Sequence, residues 1–442
     1  MGLKMEKKTL GQRLFINRDF GLLFWGRLVS QVGDGIHYLA LTWLVLDLTG
    51  SGTALGTLLL VSSLPMVLLA PFTGVLADLW DRKTIVVSMD VVRGLVILAL
   101  GFIHKQGYLT MPILYGATVL SSLCGVLFGP AISAAVPGLV KKEELVKANS
   151  LNSLSRAATQ IIGPVAGAFI LGTTGYYGAF LINGTAFLLS ALSEMFIRFP
   201  KQSRQGVQAA ELNPAAQFFR SFQEGFHYMW QNAGLRTLIL FAVALNFLSA
   251  PLFNVVFPYF GKEVLLLEAK QYGNLQAMLP VGFLIGTGLI GYMTKKYRKE
   301  SLLSSGIILQ GGISVLLGAL ALPSVYGSVP LLWLLAAMSA GFLLIGVLNI
   351  FINVPFQVTL QETVPDHYRG RVFGLLDSMV QMLVPLSMGL SGVLVDNFSV
   401  ASLFAFSGIV VAVLGFAMAL SRNIKLLYAQ GEMAEAEAVA EL

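Results

Sequence analysis

Long uninterrupted apolar runs alternate with short polar connectors along almost the whole chain. Twelve runs stand out, at roughly 20–46, 53–77, 84–104, 111–137, 151–171, 176–197, 235–260, 271–294, 302–322, 329–353, 371–395 and 399–420. Crossing the hydrocarbon core takes a helix of about 20 apolar residues, and each run approaches or exceeds that length. The runs are continuously apolar rather than alternating, which predicts helices and not the strands of a barrel. The longest polar gap, Pro200 to Gly234, falls halfway along. It opens with Lys-Gln-Ser-Arg-Gln-Gly and then places Phe218, Phe222, Phe226 and Met229 at helical spacing between Pro214 and Trp230. That pattern predicts an amphipathic helix lying at the membrane interface.

The expected architecture is an all-α polytopic membrane protein of twelve transmembrane helices in two pseudo-symmetric six-helix halves. It divides into an N-terminal segment (1–19), a first half (20–199), a linker with its amphipathic helix (200–234), a second half (235–421) and a tail (422–442). The tail carries four glutamates among alanines from Gly431 onward and shows no evident role.

Composition agrees with the pattern. Of 442 residues, 56% are hydrophobic and 12% charged, with mean hydropathy +0.76. Soluble domains carry about 25% charged residues. The net charge of +6 does not imply nucleic acid, because the cations sit in connectors on alternate sides of the spans. Lys4, Lys7, Lys8, Arg13 and Arg18 precede the first run, Arg82 and Lys83 follow the second, and Lys141, Lys142 and Lys147 follow the fourth. Lys201, Arg204 and Arg220 follow the sixth, Lys295, Lys296, Arg298 and Lys299 the eighth, and Arg422 and Lys425 the twelfth, while Arg369 and Arg371 flank the start of the eleventh. The other side holds Lys105, Lys262 and Lys270. Both termini are therefore expected in the cytoplasm. Met1–Asp19 is polar and basic, so the first span is expected to direct insertion without a cleaved leader. The single cysteine, Cys124, lies in an apolar run and reads as a small buried hydrophobe.

The halves repeat faintly. Ala135-Val-Pro-Gly-Leu, after the fourth run, returns as Thr363-Val-Pro-Asp-His after the tenth. The glycine-rich stretch Gly74-Val-Leu-Ala-Asp78-Leu-Trp-Asp81-Arg82-Lys83 has a counterpart at Gly288-Leu-Ile-Gly291-Tyr-Met-Thr-Lys-Lys that lacks the acid. Repeated halves are common in secondary transporters.

Gly74-x-Leu-Ala-Asp78-x-x-x-Arg82-Lys83, between the second and third runs, resembles the cytoplasmic signature of the major facilitator superfamily. Asp81 stands where that family has a second glycine, and Leu79 where it has a basic residue. Ser30-Gln-Val-Gly-Asp34-Gly, Val136-Pro-Gly-Leu-Val-x-x-Glu-Glu-Leu-Val-x-Ala148-Asn149-Ser150 and Val364-Pro-Asp-x-x-Arg369-Gly-Arg371-Val-Phe resemble the macrolide-efflux and enterobactin-exporter branch. The resemblance covers all but the two tails. It implies the major facilitator fold, a prokaryotic plasma (inner) membrane location and drug:proton antiport by alternating access. Two departures accompany it: the fourth span lacks the arginine that many proton-driven exporters carry, and the antiport motif of the fifth is partial, with Gly163, Pro164 and Gly167 present but Thr159 and Ala168 beside them.

Asp34 lies midway along the first span. An ionised carboxylate there costs about 2.5–3.5 kcal/mol, an energy that taking up a proton removes. Asp34 is a candidate proton-coupling residue, or else a hydrogen-bonded structural aspartate; His37 and Tyr38 share its helix face. Asp90 and Arg93, three apart on the third span, can pair with each other, and with Asp377 they form a candidate gating network or static pairs. Resemblance adds a latch: Asp78 facing the N-terminus of the eleventh span, where a helix dipole favours an anion, with Gly74 allowing close approach and Arg82 and Lys83 beside it. The alternative is that Arg82 and Lys83 only anchor the topology. Gly163, Pro164 and Gly167 are expected to bend the fifth span and admit a neighbour. Gln31, Tyr38, Asn183, Asn246, Asn349, Asn353 and Gln357 are candidate cavity residues, and the last three form one stripe at i, i+4, i+8; singly, each also suits an interhelical hydrogen bond.

The leading function is proton-coupled efflux of a hydrophobic or amphiphilic small molecule. A lipid or lysolipid flippase is the alternative within transport, and a membrane sensor or scaffold the alternative outside it. Nothing points to an enzyme, a cofactor or a metal, and no phosphate-binding Gly-x-x-x-x-Gly-Lys-Ser/Thr run is present. The expected partners are membrane lipid, the amphiphilic substrate and protons, with no nucleic acid, and the expected state is a monomer.

Overall fold

The computed structural model describes residues 16–199 and 214–429, excepting the side chains of 70–79, 214–219, 221, 366 and 367. The candidates Gly74 and Asp78 therefore lie on a described helix, but their contacts lie outside what is described, as do those of Phe218. The linker start and the acidic tail also lie outside.

Helices α1 (Arg18–Thr49), α2 (Gly52–Leu79), α3 (Arg82–Lys105) and α4 (Met111–Leu139) follow the first four apolar runs. A continuous helical stretch, Leu145–Met195, covers the next two. It breaks at Gly175, whose φ of 66° and ψ of −169° leave helical space. Positive φ costs glycine nothing, so the chain reverses there; the arms are α5 (145–174) and α6 (176–195). Amphipathic α7 (Pro214–Gln231) precedes α8 (Ala233–Val264), α9 (Ala269–Lys296), α10 (Lys299–Leu320), α11 (Leu331–Thr363), α12 (Asp366–Asn397) and α13 (Val400–Leu420). Two π-helical turns, Leu252–Val256 and Phe260–Val264, interrupt α8. No strand occurs among the described residues.

Among the described residues, ten stretches are long and apolar enough to cross a membrane. The α5–α6 stretch counts once among them, as Lys142–Met195 of 54 residues, about twice what one crossing requires. α1 falls outside, because Gln31, Asp34 and His37 interrupt its apolar run. With the Gly175 break and α1 included, the spans are twelve. Their outer faces suit lipid: Leu420 is 77% and Leu332 75% exposed. Trp25, Trp80, Trp230 and Trp333 are exposed near helix ends, where indole rings prefer the headgroup level.

The chain folds as two compact units, one of Met1–Leu41 with Leu64–Pro214, the other of Thr42–Ser63 with Ala215–Leu442. The tip of the α1–α2 hairpin thus groups with the second-half helices. In the first unit α3 packs on α6, and a Cβ on Gly94 would meet Leu188 and the carbonyl of Gly184. In the second unit the corresponding pair, α10 and α13, meets through Gly311, Gly318, Gly408 and Gly415. α9 and α11 cross at Gly282 and Gly346. Lipid supplies no hydrophobic drive between helices, so small residues that let backbones approach supply the packing instead.

Candidate functional site

In the first unit, Asp34 on α1 accepts a 2.9 Å hydrogen bond from Nη2 of Arg93 on α3. The guanidinium lies over the ring of Phe187, 4.0 Å from its centre. Asp90 and Arg93, which can pair by spacing, do not do so here: Arg93 reaches across to α1, and neither carboxylate oxygen of the fully buried Asp90 has a hydrogen-bond partner. His37 sets its ring edge-on to Phe180 at 5.6 Å, and its Nδ1 has no hydrogen-bond partner. Asn183, also fully buried, faces Gly33, and neither of its amide atoms has one. Gln31 accepts a 2.9 Å bond from Ser155. Tyr38 is half-buried one turn beyond Asp34.

A second acid stands near Asp90. Glu194, near the end of α6, is fully buried, with Ser190 donating to Oε1 at 3.4 Å and Oε2 unpartnered. Arg27 lies in electrostatic range of both Glu194 and Asp90, and Arg156 in range of Arg27. Glu194 escapes a reading by motif; its signal is an acid inside an apolar run.

Gly163 and Gly167 of α5 fit beside this cluster. A Cβ on Gly35 would stand 2.6 Å from the Cα of Gly163, and one on Gly167 would stand 3.2 Å from the Cα of Ile36. So α5 lies backbone to backbone on α1, one residue from Asp34. Pro164 sits within the same helical stretch, which keeps helical dihedrals there.

The charged residues that follow α2 make contacts within their own unit. Asp81 caps α3, accepting from Thr84 N and Oγ1, each at 2.9 Å. Arg82 donates to the Ala134 carbonyl at 2.8 Å, and Lys83 to those of Met195 and Ile197 at 2.6 and 3.1 Å. These cations satisfy carbonyls toward the ends of α4 and α6, where the helix dipole is negative.

The second unit holds a cavity of about 300 Å³ among α8, α10, α11, α12 and α13. Asn246, Asn349, Asn353 and Gln357 all line it, joined by Gln310 and Asp377. Asn353 Nδ2 donates to Asn349 Oδ1 at 2.7 Å, so the predicted stripe is hydrogen-bonded along its own helix. Gln31, Tyr38 and Asn183 belong to the first unit and do not line this cavity.

The hairpin tip carries a contact that no sequence motif signals. The carboxylate of Asp396, at the end of α12, accepts from Ser51 Oγ at 2.7 Å, Gly52 N at 2.6 Å and Thr53 N at 2.9 Å. It thereby caps α2 from another helix. Gly52 and Gly56 lie against Gly392, and Lys262 pairs with Asp47 nearby. No cluster of three metal-ligating side chains occurs among the described residues.

Residues 23–386 match the family model for the Major Facilitator Superfamily. Macrolide efflux protein A of Streptococcus pyogenes is 26% identical over 419 residues, covering 92% of this chain and 97% of that protein. The multidrug efflux pump Tap of Mycolicibacterium fortuitum is 26% identical over 389 residues, covering 85% and 88%. Among solved structures, a bacterial homologue of the iron transporter ferroportin, in its inward-facing state, superposes with a TM-score of 0.68. The identity there is 18%, with 91% of this chain and 98% of that chain covered. At that identity the likeness speaks for the fold alone.

Proposed function

The chain belongs to the Major Facilitator Superfamily, and from that premise we propose that it exports an amphiphilic small molecule by alternating access, driven by protons. It is a multi-pass membrane transporter and not an enzyme. The observation that carries the export reading is the cavity of the second unit. It lies within membrane spans and joins apolar and aromatic walls to uncharged amides. Such a lining suits a body that is mostly apolar with a few polar groups. The similarity to macrolide and multidrug efflux proteins supports the same direction of transport. Both termini are assigned to the cytoplasm from the distribution of Lys and Arg.

Proton coupling is assigned to Asp34. Its ion pair with Arg93 gives the carboxylate two alternatives inside the membrane, paired with a cation or neutralised by a proton. Exchange between them, with His37 one turn away, couples protonation to the α1–α3 contact. The buried Asp90 and Glu194 and the half-buried Arg27 extend the polar path along α3, α6 and α1.

The test is transport by proteoliposomes under an imposed pH gradient. Wild-type protein moves amphiphiles in response to the gradient, and Asp34→Asn abolishes that response while still binding them. Drug transport that ignores the gradient removes the proton from the mechanism. Headgroup-selective lipid movement replaces the exporter with a flippase, and no transport of any class favours a sensor.

A further inference from the structure

Asp377 is the one charged residue among the eighteen that line the second-unit cavity. It stands on the twelfth residue of α12, about 16 Å along at 1.5 Å per residue. Its side chain is exposed toward the cavity and meets no cation and no hydrogen-bond donor among the described residues. Among the described residues, the other span aspartates with exposed or half-exposed side chains have partners. Asp34 has Arg93, Asp47 has Lys262, and Asp396 has the N-terminus of α2. A charge within a membrane span ordinarily pairs or serves a ligand path.

The surroundings narrow the ligand. Asn246, Gln310, Asn349 and Gln357 bring carbonyl oxygens without positive charge. Phe356 and Phe373 bring aromatic rings, a residue type whose faces attract cations. The one net charge of this wall favours a positive charge, while the aliphatic remainder favours an apolar body. An anion would meet Asp377 with no cation in the lining to offset the repulsion.

Building on the export reading, we propose that the cavity takes singly charged organic cations with an apolar body, and that Asp377 is the counterion that selects them over neutral analogues of the same shape. Asp377 is here a residue of substrate recognition and not of the inner gate.

The test compares two probes of similar bulk on the full-length protein in lipid nanodiscs. One is methyltriphenylphosphonium, whose charge does not titrate; the other is neutral triphenylphosphine oxide. Wild-type protein binds the phosphonium at least about tenfold more tightly. Asp377→Asn erases that preference by weakening the phosphonium alone, and Asp377→Glu retains it. The inference is overturned if wild-type protein shows no preference, if Asp377→Asn keeps it, or if that variant loses both probes equally. Wild-type behaviour alone decides the matter should the Asn variant fail to fold. Transport of neutral amphiphiles with indifference to charge sinks this inference and leaves the export reading standing. Absence of all amphiphile transport sinks the export reading, and a phosphonium preference that persists in binding would keep the site.

Discussion

Asp34 and Arg93 illustrate how much a single partner decides inside a membrane. The two side chains come from residues 59 apart in the chain, and each leaves a poorly solvated charge behind if the other is removed. Truncating one member of such a pair costs more than removing both, because the survivor keeps its desolvation penalty. Arg93→Gln is therefore expected to lower thermal stability in detergent more than Arg93→Gln combined with Asp34→Asn. A coupling energy of about 1 kcal/mol or more by double-mutant cycle supports the pair; strict additivity denies it. Asp90 and Glu194 follow a different logic. Both are fully buried with unpartnered oxygens, so Glu194→Gln, which keeps the shape and removes an ionisable group, is expected to be neutral or stabilising in a thermal-shift assay. A loss of stability would mean that the carboxylate is ionised and held by Arg27.

Glycine contacts govern the helices. A Cβ on Gly35 falls 2.6 Å from the α5 backbone, whereas one on Gly163 falls 3.1 Å from the α1 backbone. The first distance requires a helix to move; the second requires a shift of tenths of an ångström. Gly35→Ala is thus expected to cost about 1–3 kcal/mol, the range for overpacking, and Gly163→Ala less, as read from thermal unfolding. Equal costs would argue that the helices slide freely. At the hairpin tip, Asp396 adds a second cap to α2, beside Ser51, whose Oγ accepts from Ala54 N at 3.3 Å. Losing a helix cap costs about 0.5–2 kcal/mol, and here the cap also fastens α2 to α12. Asp396→Ala is expected to speed maleimide labelling of Thr57→Cys in a Cys124→Ala background, and unchanged labelling would show that Gly52, Gly56 and Gly392 suffice. The amphipathic helix α7 is held at its end rather than only floating on lipid. Glu224 pairs with Arg371 at 3.1 Å, and Tyr228 stacks on Tyr368 at 4.5 Å. Phe222 and Met229 enter the second unit's core, leaving Phe226 and Trp230 stacked and exposed for the interface.

Across the whole molecule, topology is the property open to direct test. With Cys124 replaced, an impermeant maleimide applied to intact cells is expected to label Ser328→Cys, between α10 and α11, and not Lys425→Cys, after α13. The reverse pattern inverts the assigned orientation. The hydrophobic pattern alone carried the number of spans, their approximate ends, the break near residue 175 and the amphipathic helix. Those features are local, because an apolar run must satisfy its own backbone hydrogen bonds in lipid whatever lies beside it. The stripe of Asn349, Asn353 and Gln357 was legible for the same reason, since helical spacing puts it on one face. Partner choice was not legible. Spacing offers Arg93 to Asp90, yet the fold gives it to Asp34; no local signal joins Asp396 to Ser51, 345 residues away. Charges in low dielectric interact strongly at contact, and contact across helices depends on how glycines let backbones approach. The sequence by itself thus determined a twelve-span transporter with acids buried in its helices. Only the tertiary structure decided which acids are paired, and that Asp377 is left facing a cavity.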